Sequence, residues 1–554
     1  MQNPSKLNSK RNKIIKKKCS LYRVAIFLLV SNLLIIIQNP GIAKSSPNKP
    51  SFSKQNKTLT GSASFRQVTD GDVCYLLNRM SFGPRPGDLQ ALKAMGIGNY
   101  INQQLNPKTI PEAQIISSFV SSDTDLTATP EDLFIAYGPP AVKAAVGASA
   151  TITPDDKKEA QKMVRKEENQ LNKKFAQLHI MRAQYSPKQL QEVMTDFWFN
   201  HFNIYGDKGL DRMWVGLYED TAIRPYALGK FRDLLGATCH HSAMLFYLDN
   251  WQNSTPPHGG PLADGQNGNA PRGRFSGLNE NYARELMELH TLGVDGGYDQ
   301  QDVIQLAKIL TGLGLPPRGR RAQVANIDPV MGDYFDEKRH DFSDKILLGH
   351  PIKGSGEDEV EKALDLLASR PATAHHIAYE LAQYFVADKP PASLVDKLTA
   401  RFQHSSGDIK AVLTELFTSN EFWDPRYRFA KYKNPFRYAV SVMRATNAQP
   451  SSYDAIMGFL RQQGMPIYGC VTPDGYKNTK EAWLNSDTLL KRIGFAAGIA
   501  SGRMRNVCPE PPDYTVVGTV FGATLSPNTV RVITKAPDKI KLALLLGSPE
   551  FMLY

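Results

Sequence analysis

Residues 279–303 read NENYARELMELHTLGVDGGYDQQDV, and this stretch decides the fold class because it sets a helical period on a Leu-rich segment with four charged side chains. Tyr282, Leu286, Leu289 and Gly293 fall at i, i+4, i+7 and i+11, one face of a helix that is expected in a core. Asn281, Glu285 and Glu288 repeat the spacing one position back, so two carboxylates lie a turn apart beside the buried stripe. Like charges three positions apart repel unless a cation sits between them. Arg284, a basic residue from another helix or a metal ion could supply it. Two readings therefore stand: an Arg–Glu network stitching helices together, or an acidic functional site. His290 points with Ala283 and Met287 and is expected to be a packed helix-end histidine. Gly293 to Gly297 end the helix, and Asp299 with Asp302 predicts an N-cap and an acidic third position for the next one. The acids Asp295, Asp299 and Asp302 lack the order of a calcium loop.

Outward from this segment, helical periodicity recurs over 72–79, 86–94, 157–185, 188–200, 228–239, 303–311, 359–367, 373–385, 394–402, 409–418 and 434–445. The best β-like runs are short, 516–520 and 531–534. The sequence predicts a mainly α chain, a large multi-helical domain with room for two lobes and few short β-strands. LTELFTSNEF at 413–422 and LALLLGSPEF at 542–551 echo each other, which reads as a common way to end a helix and bury an aromatic ring.

The first 43 residues carry eight Lys or Arg and no acid, with an almost wholly apolar run over 24–37 and Gly41-Ile42-Ala43 after it. A basic region, an apolar run too short to span a bilayer and a small-residue exit predict a signal peptide at 1–43 and export to the periplasm or beyond; the alternative is an uncleaved N-terminal membrane anchor. Residues 44–64, rich in Ser, Asn, Lys and Pro, read as a disordered linker before a helical domain at 65–554. The formal charge of +12 falls to +4 without the eight leader charges, too little to argue for nucleic acid as a partner. Cys74, Cys239, Cys470 and Cys508 remain in that expected mature chain, and the sequence does not choose among their pairings. No nucleophile elbow, phosphate loop, zincin motif or dinucleotide fingerprint occurs.

Further motifs follow in a definite order. Leu77 to Gly83 reads LNRMSFG and Phe197 to Phe202 reads FWFNHF. Tyr247-Leu248-Asp249-Asn250, His340-Asp341, Asn434-Pro435-Phe436 with Arg444, Gly475-Tyr476, Trp483-Leu484-Asn485 and Ser548-Pro549-Glu550-Phe551 come after. With the 279–303 segment, this series closely resembles the bacterial family called domain of unknown function 1800, over nearly the whole chain from about Cys74. Glu380 departs from the Lys expected there, and about 107–153 reads as an insertion. The resemblance implies no reaction. It does imply a neighbour: members are often encoded beside a second exported family, domain of unknown function 1501, which looks like the sulfatase and alkaline phosphatase superfamily.

Two helices concentrate the candidate chemistry. Glu192, Asp196 and Asn200 recur every four residues, with His201 just past them and Phe197, Trp198 and Phe202 between. Carboxylates beside large aromatics are where desolvation raises a pKa, which suits acid or base work. Glu192, Asp196, His201, Arg284, Glu285 and Glu288 are accordingly the candidate catalytic cleft. A di-iron centre of the ferritin kind needs two Glu-x-x-His pairs on helices, and the only match, Glu337 with His340, falls in a loop. A divalent metal on His201, His340 and Asp341 with other carboxylates remains open. The adjacent pairs His240-His241 and His375-His376 diverge on a helix, so neither pair is expected to chelate one ion. The long Gly- and Asn-rich stretch at 253–277 reads as a substrate-facing loop. Two functions fit: an exported enzyme acting on a wall or matrix polymer, or a non-enzymatic assembly, export or binding partner of the sulfatase-like neighbour.

If the leader is cleaved, exported material should begin near Lys44. N-terminal sequencing reads this directly, and a start at Met1 in a membrane fraction would mean an anchor.

Overall fold

Side-chain caps start the helices. Thr69 with Asp72, Thr129 with Asp132, Thr153 with Asp156 and Asp299 with Asp302 each form a reciprocal capping box, satisfying backbone N–H groups that a helix start leaves without partners. The last pair is the one read from the sequence. The computed structural model describes residues 69–146, 153–255, 277–316 and 327–554; the expected leader, the linker and most of the 253–277 loop lie outside them. Among the described residues, no helix is long and apolar enough to cross a membrane.

The fold is mainly α. The long helix Pro154–Tyr185 begins charged and exposed, then buries Leu171, Phe175 and Leu178 on one face. Helices Gln189–His201, Asp211–Tyr218 and Pro435–Ala445 pack on it, as do the short helices Gln114–Ser121, Pro130–Tyr137 and Pro139–Val146. Pro371–Phe385, Ala392–His404 and Ile409–Thr418 stack in sequence order, and Ser486–Ala500 packs on Asp538–Leu546. Among the described residues the strands form two antiparallel pairs, Leu313–Gly314 with Tyr334–Phe335 and Lys345–Leu347 with His350–Ile352. Buried apolar side chains from Val73 to Met552 form one contiguous cluster.

The interior is also polar, because helix ends lie inside it. Helix Asp70–Met80 ends where Met80, Ser81 and Phe82 have no exposure. One face of Pro435–Ala445 supplies donors there: Arg437 Nη1 donates to the carbonyls of Asn78 (2.7 Å) and Ser81 (2.8 Å), Ser441 to that of Phe82, and Arg444 to that of Gly83. The LNRMSFG and Asn434 to Arg444 motifs thus dock on each other.

Two expectations change. Residues 516–520 and 531–534 lie in helices Tyr514–Phe521 and Pro527–Lys535. Val517, Val520 and Phe521 are buried at i, i+3 and i+4, so packing of that face overrides the strand preference of β-branched residues. The helix in the 279–303 segment is shorter than its apolar period, Asn281–Glu288, because the N–H groups of His290 and Leu292 bond five residues back. The four cysteines are all buried, unpaired thiols. The 413–422 and 542–551 echo is a shared device: Ser419 and Ser548 each accept from the backbone N–H of the buried Phe three residues on.

Where Pro154–Tyr185 crosses Asp211–Tyr218, the contact requires a glycine: a Cβ on Gly216 would lie 2.0 Å from the Phe175 ring. Gly216→Ala should therefore lower stability by about 1–3 kcal/mol through overpacking, despite alanine's better helix propensity. Thermal melts test this; an unchanged or raised midpoint would mean the two helices can separate without cost.

Candidate functional site

A cavity of about 280 Å³ opens between several elements. Helix Gln189–His201 sends in Asp196, Asn200 and His201, a 4–1 spacing that puts them at its C-terminal end. Helix Pro371–Phe385 sends in His376, Glu380 and Tyr384, each four residues apart and so stacked along one face. His179 comes from the long helix, and the segment 465–478 closes the far side with Tyr468, Asp474 and Lys477. Tyr468 holds a positive φ of 57°, a conformation costly for a ring-bearing residue.

On one side, His201 Nδ1 lies 2.7 Å from Glu380 Oε2, while Nε2 faces the backbone carbonyl of His290 at 3.2 Å. A carbonyl only accepts, so Nε2 carries a proton. His376 Nε2 stands 3.8 Å from Glu380 Oε1 and has no hydrogen-bond partner. The His201, His376 and Glu380 donor atoms all lie within 4.8 Å of one another, the group among the described residues that could hold a metal ion. Burial pushes the Glu380 carboxyl up, but His201 and then His376 and Lys477 outweigh it and hold the group below its ordinary value. Burial pulls His376 down, against the attraction of Glu380.

The other side is a second chain of ionisable groups. His179 Nδ1 lies 2.9 Å from Glu219, which also accepts from Tyr468 Oη at 2.9 Å and Arg224 at 2.8 Å. Burial alone would raise Glu219, yet His179, Arg224 and Arg182 hold it down at about 2. With Nδ1 committed to that carboxylate, His179 Nε2 is the nitrogen turned toward Asp196, 3.9 Å away. Burial raises Asp196 above the ordinary carboxylate range, more than His179 and Arg437 lower it. Its closest donor is the Tyr384 hydroxyl at 3.5 Å.

Of the residues singled out from sequence, the structure brings Asp196 and His201 into the cavity. Glu192 does not line it: buried one turn earlier, it pairs with Arg224. Arg284 bonds Glu280 and Gln300 at the surface. Glu285 and Glu288 are half-buried outside the cavity; burial and the Glu288 charge raise Glu285, and Glu288 accepts from Tyr298 Oη at 3.2 Å. His340 sits between the Thr311 carbonyl (2.7 Å) and Glu359 (2.9 Å), with Lys345 on the same carboxylate at 2.6 Å. Lys345 occupies the place a metal would take. Asp341 bonds Ser343 to cap a turn. A centre combining His201 with His340 and Asp341 therefore does not assemble.

The sequence sets His376 aside as half of an adjacent pair and marks Glu380 only as a departure from Lys, although their i, i+4 spacing was the available signal; His179, a lone histidine in a long helix, carries none. His240 and His241 do diverge, His240 toward Asp333 and Glu361 and His241 capping the next helix. The 279–303 segment meets the site through backbone: the His290 carbonyl faces His201, and the Leu289 backbone hydrogen-bonds His376.

The family model described as protein of unknown function (DUF1800) matches residues 75–553, and the chain belongs to that family. No curated protein and no solved structure matches it.

Two neutralisations should separate network from bystander. Glu192→Gln takes one of three carboxylates from Arg224, leaving Glu219 and Asp220, and should cost about 1–3 kcal/mol. Glu285→Gln relieves repulsion from Glu288, so stability should hold or rise, by about 0.2–0.5 kcal/mol. Thermal melts beside wild type decide, and a clear loss in Glu285→Gln would show that this carboxylate is paired after all.

Proposed function

We propose that the chain is an exported enzyme that hydrolyses an extracytoplasmic polymer in this cavity, with Asp196 as proton donor and His179 as the group that exchanges protons with it. The observation that carries this reading is the pairing of two titratable groups in one enclosed space. Asp196 is held toward its neutral form by burial, while His179 is oriented through Nδ1 by the Glu219 carboxylate. A carboxyl kept neutral near working pH can donate a proton to a leaving group, and a carboxylate-oriented imidazole can accept one from water. The basic, apolar-run leader expected at 1–43 supports action outside the cytoplasm.

The lining fits a polar substrate with flat faces. Phe197, Phe436, Tyr468 and Tyr476 offer rings and Asn478 an amide, while Asn200 and Asn203 spend their amides on the backbone of Tyr476, Cys470 and Thr472. Such surroundings suit a hydroxyl- and amide-bearing chain such as a wall or matrix polysaccharide.

The test is release of soluble fragments from isolated wall and matrix polymer, followed by mass spectrometry, with wild type and Asp196→Asn. The amide keeps the shape without burying a charge, so the variant should melt no lower than wild type, while turnover falls about 10²–10⁴-fold. Raising the donor's folded pKa keeps its acid form present to higher pH, so wild-type rate should be lost on the alkaline side later than for an ordinary carboxyl. Equal turnover in Asp196→Asn would remove this residue and the mechanism with it.

A further inference from the structure

We propose that His201, His376 and Glu380 bind one divalent transition-metal ion, of the zinc kind, through His201 Nδ1, His376 Nε2 and the Glu380 carboxylate, with its remaining positions open to the cavity. This deepens the reading of the cavity as a working site, and it can stand or fall separately.

Geometry supports the site first. Ligands bound at about 2.0–2.1 Å from a zinc ion stand about 3.0–3.4 Å apart. The three donor atoms already lie within 4.8 Å, two of the side chains coming from one helix at i and i+4.

The outer contacts fit as well. A metal-binding histidine commonly gives its other ring N–H to a carbonyl or carboxylate, which fixes the tautomer and aims the free nitrogen. His201 Nε2 faces the His290 carbonyl at 3.2 Å, leaving Nδ1 aimed at Glu380. His376 hydrogen-bonds the backbone of Leu289, and its Nε2 is a buried atom without a hydrogen-bond partner. Two consecutive residues after helix Asn281–Glu288 thus hold both rings. The glycine that follows them is tight on the same ring: a Cβ on Gly293 would lie 3.0 Å from His376 Nδ1.

The other His–carboxylate clusters carry their own cation. Lys345 shares Glu359 with His340, and Arg232 shares Glu361 with His240. Near Glu380 the basic side chain is Lys477, which is bonded to Asp474 at 2.6 Å. Two imidazoles and one carboxylate favour zinc, cobalt or iron over magnesium or calcium, which prefer all-oxygen shells. All three ligands line the cavity, so an ion here would present open positions to a substrate oxygen, as catalytic rather than structural zinc does.

The experiment uses the full chain without a histidine tag, stripped by chelator and titrated with Zn²⁺ by calorimetry and with Co²⁺ by visible absorption. Wild type should bind one ion per chain and show the intense bands of low-coordinate cobalt; Mg²⁺ should not compete. Loss of an outer contact alone costs about 10–100-fold in affinity, so His376→Ala and Glu380→Gln should each lose at least about 100-fold, while His240→Ala should bind as wild type. If either site variant fails to fold, X-ray absorption at the zinc edge of wild type replaces it, with two imidazole ligands and no sulfur expected. No stoichiometric ion in wild type, unchanged binding in His376→Ala, or an ion shell without imidazole overturns the proposal. Binding without turnover of any polymer would leave the ion in place and sink the hydrolase reading. Turnover together with no Zn²⁺ binding in the titration would do the reverse.

Discussion

The structure depends on how buried helix ends are satisfied. A helix leaves its last carbonyls without partners, and in this chain several such ends lie where water does not reach. Helix Asp70–Met80 ends this way, and Arg437, Ser441 and Arg444, spaced 4 and 3 apart on one helix face, answer the carbonyls of Asn78, Ser81, Phe82 and Gly83. Arg437 also donates to Tyr384 Oη at 3.2 Å and lies over the Tyr384 and Phe82 rings. Through that one guanidinium helices Asp70–Met80, Pro435–Ala445 and Pro371–Phe385, the last bearing His376 and Glu380, are fixed relative to each other. Arg79 extends the arrangement by donating to the carbonyls of Val386 and Tyr427.

The same economy shapes the cavity, again with backbone carbonyls accepting from side chains. There the spare backbone groups belong to the segment after helix Asn281–Glu288, and the side chains that meet them are imidazoles. The charged residues that make this segment conspicuous in sequence, Arg284, Glu285 and Glu288, face elsewhere. What it contributes is a bend whose peptide groups aim two rings, and a bend needs its glycines and its length more than its charges. This accounts for a motif rich in acids that places no acid in the cavity.

Legibility followed period and local chemistry. The helical architecture, the Asp299–Asp302 cap and the shared face of Asp196 and Asn200 could be read because each is a spacing within one element. Glu192 sits on that same face, but its distance from the cavity depends on where Arg224 emerges from a different helix, and no spacing carries that information. His376 was obscured by His375: two adjacent histidines cannot share an ion, which is correct, yet one of them can join a residue four positions on and a third from another helix. Val517 and Val520 misled through residue type, since their burial, not their branching, decides their conformation. The pairing of His179 with Glu219 joins elements 40 positions apart and had no local trace.

Glu219 reaches His179 by an unusual piece of backbone. Residues Glu219–Ile223 form a π-helical turn continuing helix Asp211–Tyr218 and leading into Arg224–Tyr226. In an α-helix, at roughly 100° per residue, positions five apart diverge by about 140°. The wider turn swings Glu219 and Arg224 back to the same side, where they meet at 2.8 Å and Arg224 also reaches Glu192 and Asp220. The turn behaves as a one-residue surplus held in the helix by its ion pairs. Removing Thr221 or Ala222 there would restore regular winding and leave the charged side chains of the stretch intact, yet it would rotate Arg224 away from Glu219 and free the carboxylate that orients His179. In this part of the molecule chain length, counted to the residue, carries functional information that residue identity does not.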